Sequence, residues 1–257
     1  MTAPGTTAGS RPGAAPARQA WWAQTRIELV LTMRRGESVL LTFLIPVVLL
    51  VFFSMVDVLP TETSEPVAFL FPGILALAVM STALVSVAIA TGFERQMGVL
   101  KRLGSTPLTR GQLLGAKTAS IVVIEALQIV VLVIVGFLLG FRVMGPDLGA
   151  ALLGVVLATI AFAGLGLLLA GTLPALTTLA AANGVYLLLL LLSGMVIPLS
   201  KLPGPMQVVS QSLPAGALAE ILHGALGTAS IPGHAWLVLI GWAVVAPLAA
   251  ARWFRWE

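Results

Sequence analysis

The sequence predicts an all-α integral membrane protein: six transmembrane helices with both ends on the inner side, preceded by an amphipathic helix at the membrane interface. Three observations predict it. Of 257 residues, 58% are hydrophobic and only 9% are charged, with a mean hydropathy of +1.04, a balance that ordinary water-soluble domains do not show. Six apolar stretches each approach the roughly 20 residues that a ~30 Å hydrocarbon core needs at ~1.5 Å per residue. Basic residues gather on alternate connections between those stretches.

The formal charge of +4 is carried in short clusters between apolar runs, not along a groove-lining stripe, so nucleic acid is excluded as a partner. Cysteine is absent and the two histidines, His223 and His234, stand alone. Disulfides and thiolate metal sites are therefore excluded, and no protein-built zinc or haem site is expected.

Residues 1–18 are rich in Ala, Gly, Pro and Thr without apolar periodicity, and no signal-peptide core follows closely; they read as a disordered cytoplasmic tail. Residues 19–36 set Trp22, Ile27, Val30 and Leu31 against Gln24, Arg26, Glu28, Arg34 and Arg35. Such a helix suits the membrane interface, and an ordinary cytosolic amphipathic helix is the other reading. The transmembrane domain, residues 37–257, places spans near 38–58, 67–92, 118–140, 148–171, 177–199 and 235–253. The six consecutive leucines from Leu187 to Leu192 alone contribute about −2 to −4 kcal/mol to insertion. Between the fourth and fifth spans only Gly171-Thr172-Leu173-Pro174 interrupts the apolar run, and Pro174 is expected to make the turn.

With the N-terminus inside, the inner segments hold Arg11, Arg18, Arg26, Arg34, Arg35, Arg95, Lys101, Arg102, Arg110, Lys117, Arg252 and Arg255. That is twelve of the fourteen Lys and Arg, against Arg142 and Lys201 outside. The first outer loop carries the acids Asp57, Glu62 and Glu65. An even number of spans and an N-in, C-in arrangement follow together.

The longest inner loop is 93–117. Helical spacing groups Phe93, Met97 and Leu100 on one face, flanked by Val99 and Leu103, with Glu94, Arg95, Lys101 and Arg102 opposite. Gly104 fits a helix stop, and Thr106-Pro107 fits an N-cap followed by proline at the first helical position. The loop therefore reads as a short helix, a break and a second helical start.

Glu94-Arg95, Gly98, Leu100, Leu103, Thr106-Pro107-Leu108 and Gly115-x-Lys117 together resemble the inner loop of the type-2 permease subunits of bacterial ATP-binding-cassette exporters, which move drugs, lipids and polysaccharides. Gln96, Val99 and Lys101 depart from that pattern and alter the surface a partner would meet. Arg34-Arg35 followed by Pro46 resembles the family's opening segment. Ser193, Gly194, Pro198, Leu202, Pro203 and Pro214 resemble its outer segment, although Leu213 stands where Asn is common.

The resemblance implies a subunit without its own motor. No G-x-x-x-x-G-K-[ST] motif is present. Gly115-Ala116-Lys117-Thr118 is a near miss that opens a span. ATP and magnesium would be held by a separate cytoplasmic ATPase, in two copies, gripping Phe93, Glu94, Arg95, Met97, Gly98, Leu100, Lys101, Arg102 and Leu103. A second permease subunit would complete a homodimer in the bacterial plasma membrane, among its lipids, and an amphipathic drug-like or lipid-like cargo would leave the cell. An outer segment, 200–234, would form two short helices after Gly204-Pro205 and Pro214. In the resembled family such helices dip into the outer leaflet and cap the exit, with Ser193, Gly194, Pro198, Pro203 and Pro214 as the outer gate; a helix lying on the membrane surface is the alternative.

Glu125 is the one acid well inside a span, where a charge costs on the order of 2.5–3.5 kcal/mol, so it should face protein or water. Thr118, Glu125 and Gln128 share a helical face. That face either lines the substrate path or subunit interface, or joins two helices by hydrogen bonds. Gly154/Ala158 and Gly166/Ala170 fit close helix packing. Two other classes remain open to the sequence. A lipid-modifying membrane enzyme would need convergent His, Asp or Glu at one face. A non-transporting anchor or assembly factor would show no cargo flux to lose.

Overall fold

Apolar chain in lipid satisfies its backbone groups within a helix or a closed barrel. The computed structural model describes residues 17–34, 36–56, 66–99, 109–143, 147–227 and 230–255, and these form helices and connections with no strand. The helices are α1 (Ala17–Arg34), α2 (Gly36–Met55), α3 (Pro66–Met80), α4 (Val87–Gln96), α5 (Arg110–Leu138), α6 (Leu148–Thr172), α7 (Ala175–Leu192), α8 (Gly204–Ser212), α9 (Pro214–Leu226) and α10 (Gly233–Trp253). A π-helical segment, Ser81–Ser86, joins α3 to α4.

Among the described residues, five helical runs are long and apolar enough to cross a membrane: Val67–Gln96, Gly111–Leu138, Leu148–Thr172, Ala175–Leu192 and Gly233–Trp253. The chain is an all-α integral membrane protein. α2 adds a sixth apolar run, Leu40–Met55, which is shorter. The expected first span continues to 58, and its last residues lie outside the described ones, as do the acids Asp57, Glu62 and Glu65 and tail residues 1–16.

α6 is the centre of the bundle, packed on α10, α4 and α9. Its small residues explain why. A Cβ at Gly164 would come within 2.6 Å of the Pro247 nitrogen, and one at Gly166 within 2.6 Å of the Leu84 carbonyl oxygen; only a glycine lets these backbones approach so closely. Gly154 likewise accommodates Ile221 of α9. The α6–α7 turn falls where expected, with α6 ending at Thr172 and Pro174 as N-cap of α7.

One expectation changes: the fifth span stops at Leu192, not 199, because Gly194 takes a φ of +75° and turns the chain. In α1, Gln24, Thr25 and Glu28 are buried against the protein, whereas Trp22, Ile27, Val30 and Leu31 are exposed on the other side. Of the two alternatives for α9, the surface helix fails, since Leu218, Ile221 and Leu222 lie fully buried in the main core with α3, α6 and α10.

The segments assigned inside meet at one end of the bundle. Glu94 and Lys117 bracket the inner loop, Glu28 of α1 joins them, and Arg255 N donates to Gly171 O at 3.1 Å. At the opposite end, Asp147 N donates to Ala225 O and Trp242 Nε1 donates to Ser212 O.

Candidate functional site

The inner end is held by charge. Lys117 Nζ lies 2.9 Å from Glu28 Oε2 and 2.5 Å from Glu94 Oε2, joining α5 to α1 and α4. All three are nearly withdrawn from solvent, at 4% (Lys117), 6% (Glu28) and 6% (Glu94) exposure. Glu28 also accepts from Gln24 Nε2 at 2.8 Å, one turn earlier. Lys117 thus sits in a continuous helix between two carboxylates, which disposes of the phosphate-loop resemblance around Gly115-Ala116-Lys117-Thr118.

Glu94 and Arg95, on the face opposite Phe93 and Met97, both have partners inside the bundle. Glu94 faces Lys117, and Arg95 Nη1 donates to Ala170 O at 2.9 Å, satisfying a carbonyl in the last turn of α6. A cation at a helix C-terminus also opposes the negative end of the dipole. Phe93 is half-buried in the last turn of α4. Helix α4, continuous with the second span, ends at Gln96, and Gly98 at φ +71° breaks it. Met97 is 63% exposed at this break. Leu100, Lys101, Arg102 and Leu103 lie outside the described residues, as do Gly104 and Thr106-Pro107-Leu108. The described start of α5 is capped by Thr109: its side chain accepts from Gln112 N at 3.2 Å, while Gln112 Oε1 accepts from Thr109 N at 2.9 Å. The sequence reading puts a cap at Thr106 and misses this one, whose signal is the T-x-x-Q spacing from Thr109 to Gln112.

Deeper in the bundle, Glu125 and Gln128 face protein. Glu125, 2% exposed, accepts from Thr159 Oγ1 of α6 at 2.5 Å. Its Oε1 has no hydrogen-bond partner among the described residues. Gln128 accepts from Thr82 Oγ1 of the π segment at 3.0 Å and donates to Thr42 O of α2 at 2.7 Å. Thr118 is half-buried. The structure thus brings Glu125 and Gln128 into inter-helix hydrogen bonds, with the π segment, a feature common at functional sites, on one side of them.

The residues expected to form an outer gate lie in a chain of turns. Ser193 Oγ donates to Leu190 O at 2.9 Å and accepts from Met195 N at 3.2 Å. Pro198 precedes a 3₁₀ turn at Leu199–Lys201, Pro203 caps α8, and Pro214 opens α9. Two histidines tie α9 to its neighbours. The ring nitrogens of His223 lie 2.7 Å from Ala219 O and 3.0 Å from Phe69 O, and burial pushes its imidazole below the ordinary range. His234 Nε2 lies 3.0 Å from Glu220 Oε2. Neither histidine belongs to a metal-ligand group among the described residues.

The described helices form a multi-pass membrane bundle with a buried charge cluster at one end and a buried amphipathic helix at the other. Residues 19–226 match the family model described as ABC-2 type transporter. The match covers well over half of the chain, and the chain belongs to that family. No curated protein matches it.

Proposed function

We propose that this chain is the permease of an ATP-driven exporter that carries an amphipathic drug-like or lipid-like molecule out of a bacterial cell. It spans the plasma membrane six times, N-in and C-in, as a two-fold homodimer. Two copies of a separate ATPase bind ATP and magnesium and grip the 93–117 loop. Of the two roles open to the face of Thr118, Glu125 and Gln128, joining helices by hydrogen bonds is the one we favour, given the bonds of Glu125 and Gln128 to Thr159, Thr82 and Thr42, and the turns from Ser193 to Pro214 with α9 form the outer gate.

The observation that carries this reading is the Lys117 clamp together with the Arg95 contact. Lys117 ties one root of the inner loop to α1 and α4, and Arg95 ties the other to α6, so a displacement imposed on the loop is passed to four helices. Exposed Met97 beside the Gly98 break, with Leu100 beyond it, offers the apolar anchor that a partner's cleft would take.

Met97→Asp tests the grip without disturbing the bundle, because the side chain is in solvent. Loss of an anchor worth about 1.4 kcal/mol lowers the recovery of bound ATPase about tenfold under dilute conditions. Co-purification in detergent should show that loss with the permease still folded. Equal recovery from wild type and variant would place the coupling surface elsewhere.

A further inference from the structure

A cavity of about 340 Å³ opens near the inner end of the bundle, between α1, α2, the π segment with α4, and α5. That volume lies within the range of small-molecule sites, about 300–1,000 Å³. Leu41, Val85, Ile89, Ile121 and Ile124 line its apolar part. Glu28, Thr32, Glu94, Lys117 and Ser120 line its polar part, which lies at the end that carries the inner loop.

Much of the polar wall commits its protons elsewhere, although the hydroxyls of Ser86 and Thr91, also on the wall, can still donate. Thr32 Oγ1 gives its only proton to Glu28 O at 2.9 Å, and Ser120 Oγ gives its own to Lys117 O at 2.8 Å. Thr82, also on the wall, donates to Gln128. Lys117 directs protons to Glu28 and Glu94, leaving one of an ammonium's three. The hydroxyl oxygens keep their lone pairs, and carboxylate oxygens only accept. An anionic group here would meet two carboxylates against the single cation Lys117, an excess of negative charge in a site largely withdrawn from water. A donor group, and above all a cationic one, would find partners on several sides.

We infer that this cavity binds an amphiphile with a protonated amine as its polar end, the ammonium against Glu28, Thr32 and Ser120 and the apolar body along Ile89, Ile121 and Ile124. That the bound amine is cargo rests on the exporter reading; that it binds does not. The charged residues of the lining, Glu28, Glu94 and Lys117, gather at the loop end, where the polar end of such a molecule lies in the inner leaflet.

The chain has no cysteine, so one introduced at exposed Ser86, on the cavity wall, reports occupancy by its rate of reaction with N-ethylmaleimide. The test uses the full-length permease in detergent, without ATPase, with dodecylammonium, dodecanoate or dodecanol as probe. At ten times its Kd, a ligand leaves about one site in eleven open, so dodecylammonium should slow the labelling of Ser86→Cys about tenfold. Dodecanoate and dodecanol should slow it far less, and Leu176→Cys, exposed on α7, should be unaffected by all three. Adding Ile89→Phe to Ser86→Cys should abolish protection by filling the cavity. If that variant does not fold, the comparison of ammonium with carboxylate decides alone. Equal protection by all three probes would show chain partition only, and no protection by dodecylammonium would remove the site; either result overturns the inference. Protection without ATP-driven export would keep the site and sink the exporter reading, whereas export without protection would sink the site alone.

Discussion

Lys117→Met is expected to destabilise the permease by about 3–5 kcal/mol, because it leaves Glu28 and Glu94 facing each other in a buried site without their shared cation. Methionine preserves much of the side-chain volume, so the loss is electrostatic and not a matter of packing. Thermal unfolding in detergent should show a large fall for Lys117→Met. Glu28→Gln should do less harm, since it leaves the Lys117–Glu94 pair in place and an amide can still accept from Lys117. Lys117→Arg should fall between them, because it keeps the charge and changes the shape. Export should fall in the same order. A Lys117→Met permease as stable as wild type would mean that the cluster does not hold the inner end together.

The second large effect lies at the outer end. A Cβ at Gly73 would stand 1.7 Å from the carbonyl oxygen of Met195, a distance no side-chain rotation relieves because both partners are backbone. Gly73→Ala must push the Ser193–Pro198 segment away from α3, and overpacking of this kind costs about 1–3 kcal/mol or more. Gly184→Ala on α7 is the control, since nothing lies within 4 Å of its added methyl. Gly73→Ala should lower both thermal stability and export, while Gly184→Ala should be neutral or slightly stabilising. Equal behaviour of the two would show that the Gly73–Met195 contact is not part of the working structure.

The features legible in the sequence are those that one segment determines by itself. Apolar length gave the spans, Pro174 gave the α6–α7 turn, and Gly204-Pro205 and Pro214 marked α8 and α9. Glu125 could be read as needing a partner, because a charge or bare carboxyl in lipid is expensive. Its partner could not be read: Thr159 lies on another helix, 34 residues away. The same limit hid the inner clamp. Glu28, Glu94 and Lys117 belong to three elements, and helical periodicity says which residues share a face but not what that face meets. Glu94 and Arg95 could be placed only opposite the apolar face, although one pairs with Lys117 and the other bonds the last turn of α6. The inward turn of the polar side of α1 has the same origin, since Lys117 gives Glu28 a partner that no local pattern announces.

The central claim is that this subunit converts ATP hydrolysis by a partner into movement of an amphiphile, and ATP-driven flux tests it most directly. The permease is reconstituted in liposomes with its ATPase facing outward, and uptake of a fluorescent amphiphile is followed. The account predicts that accumulation requires ATP, the ATPase and the permease together, and that Lys117→Met reduces it at equal protein content. Accumulation that is unchanged when either ATP or the ATPase is omitted would contradict the account, as would a fully assembled complex that hydrolyses ATP and moves no amphiphile.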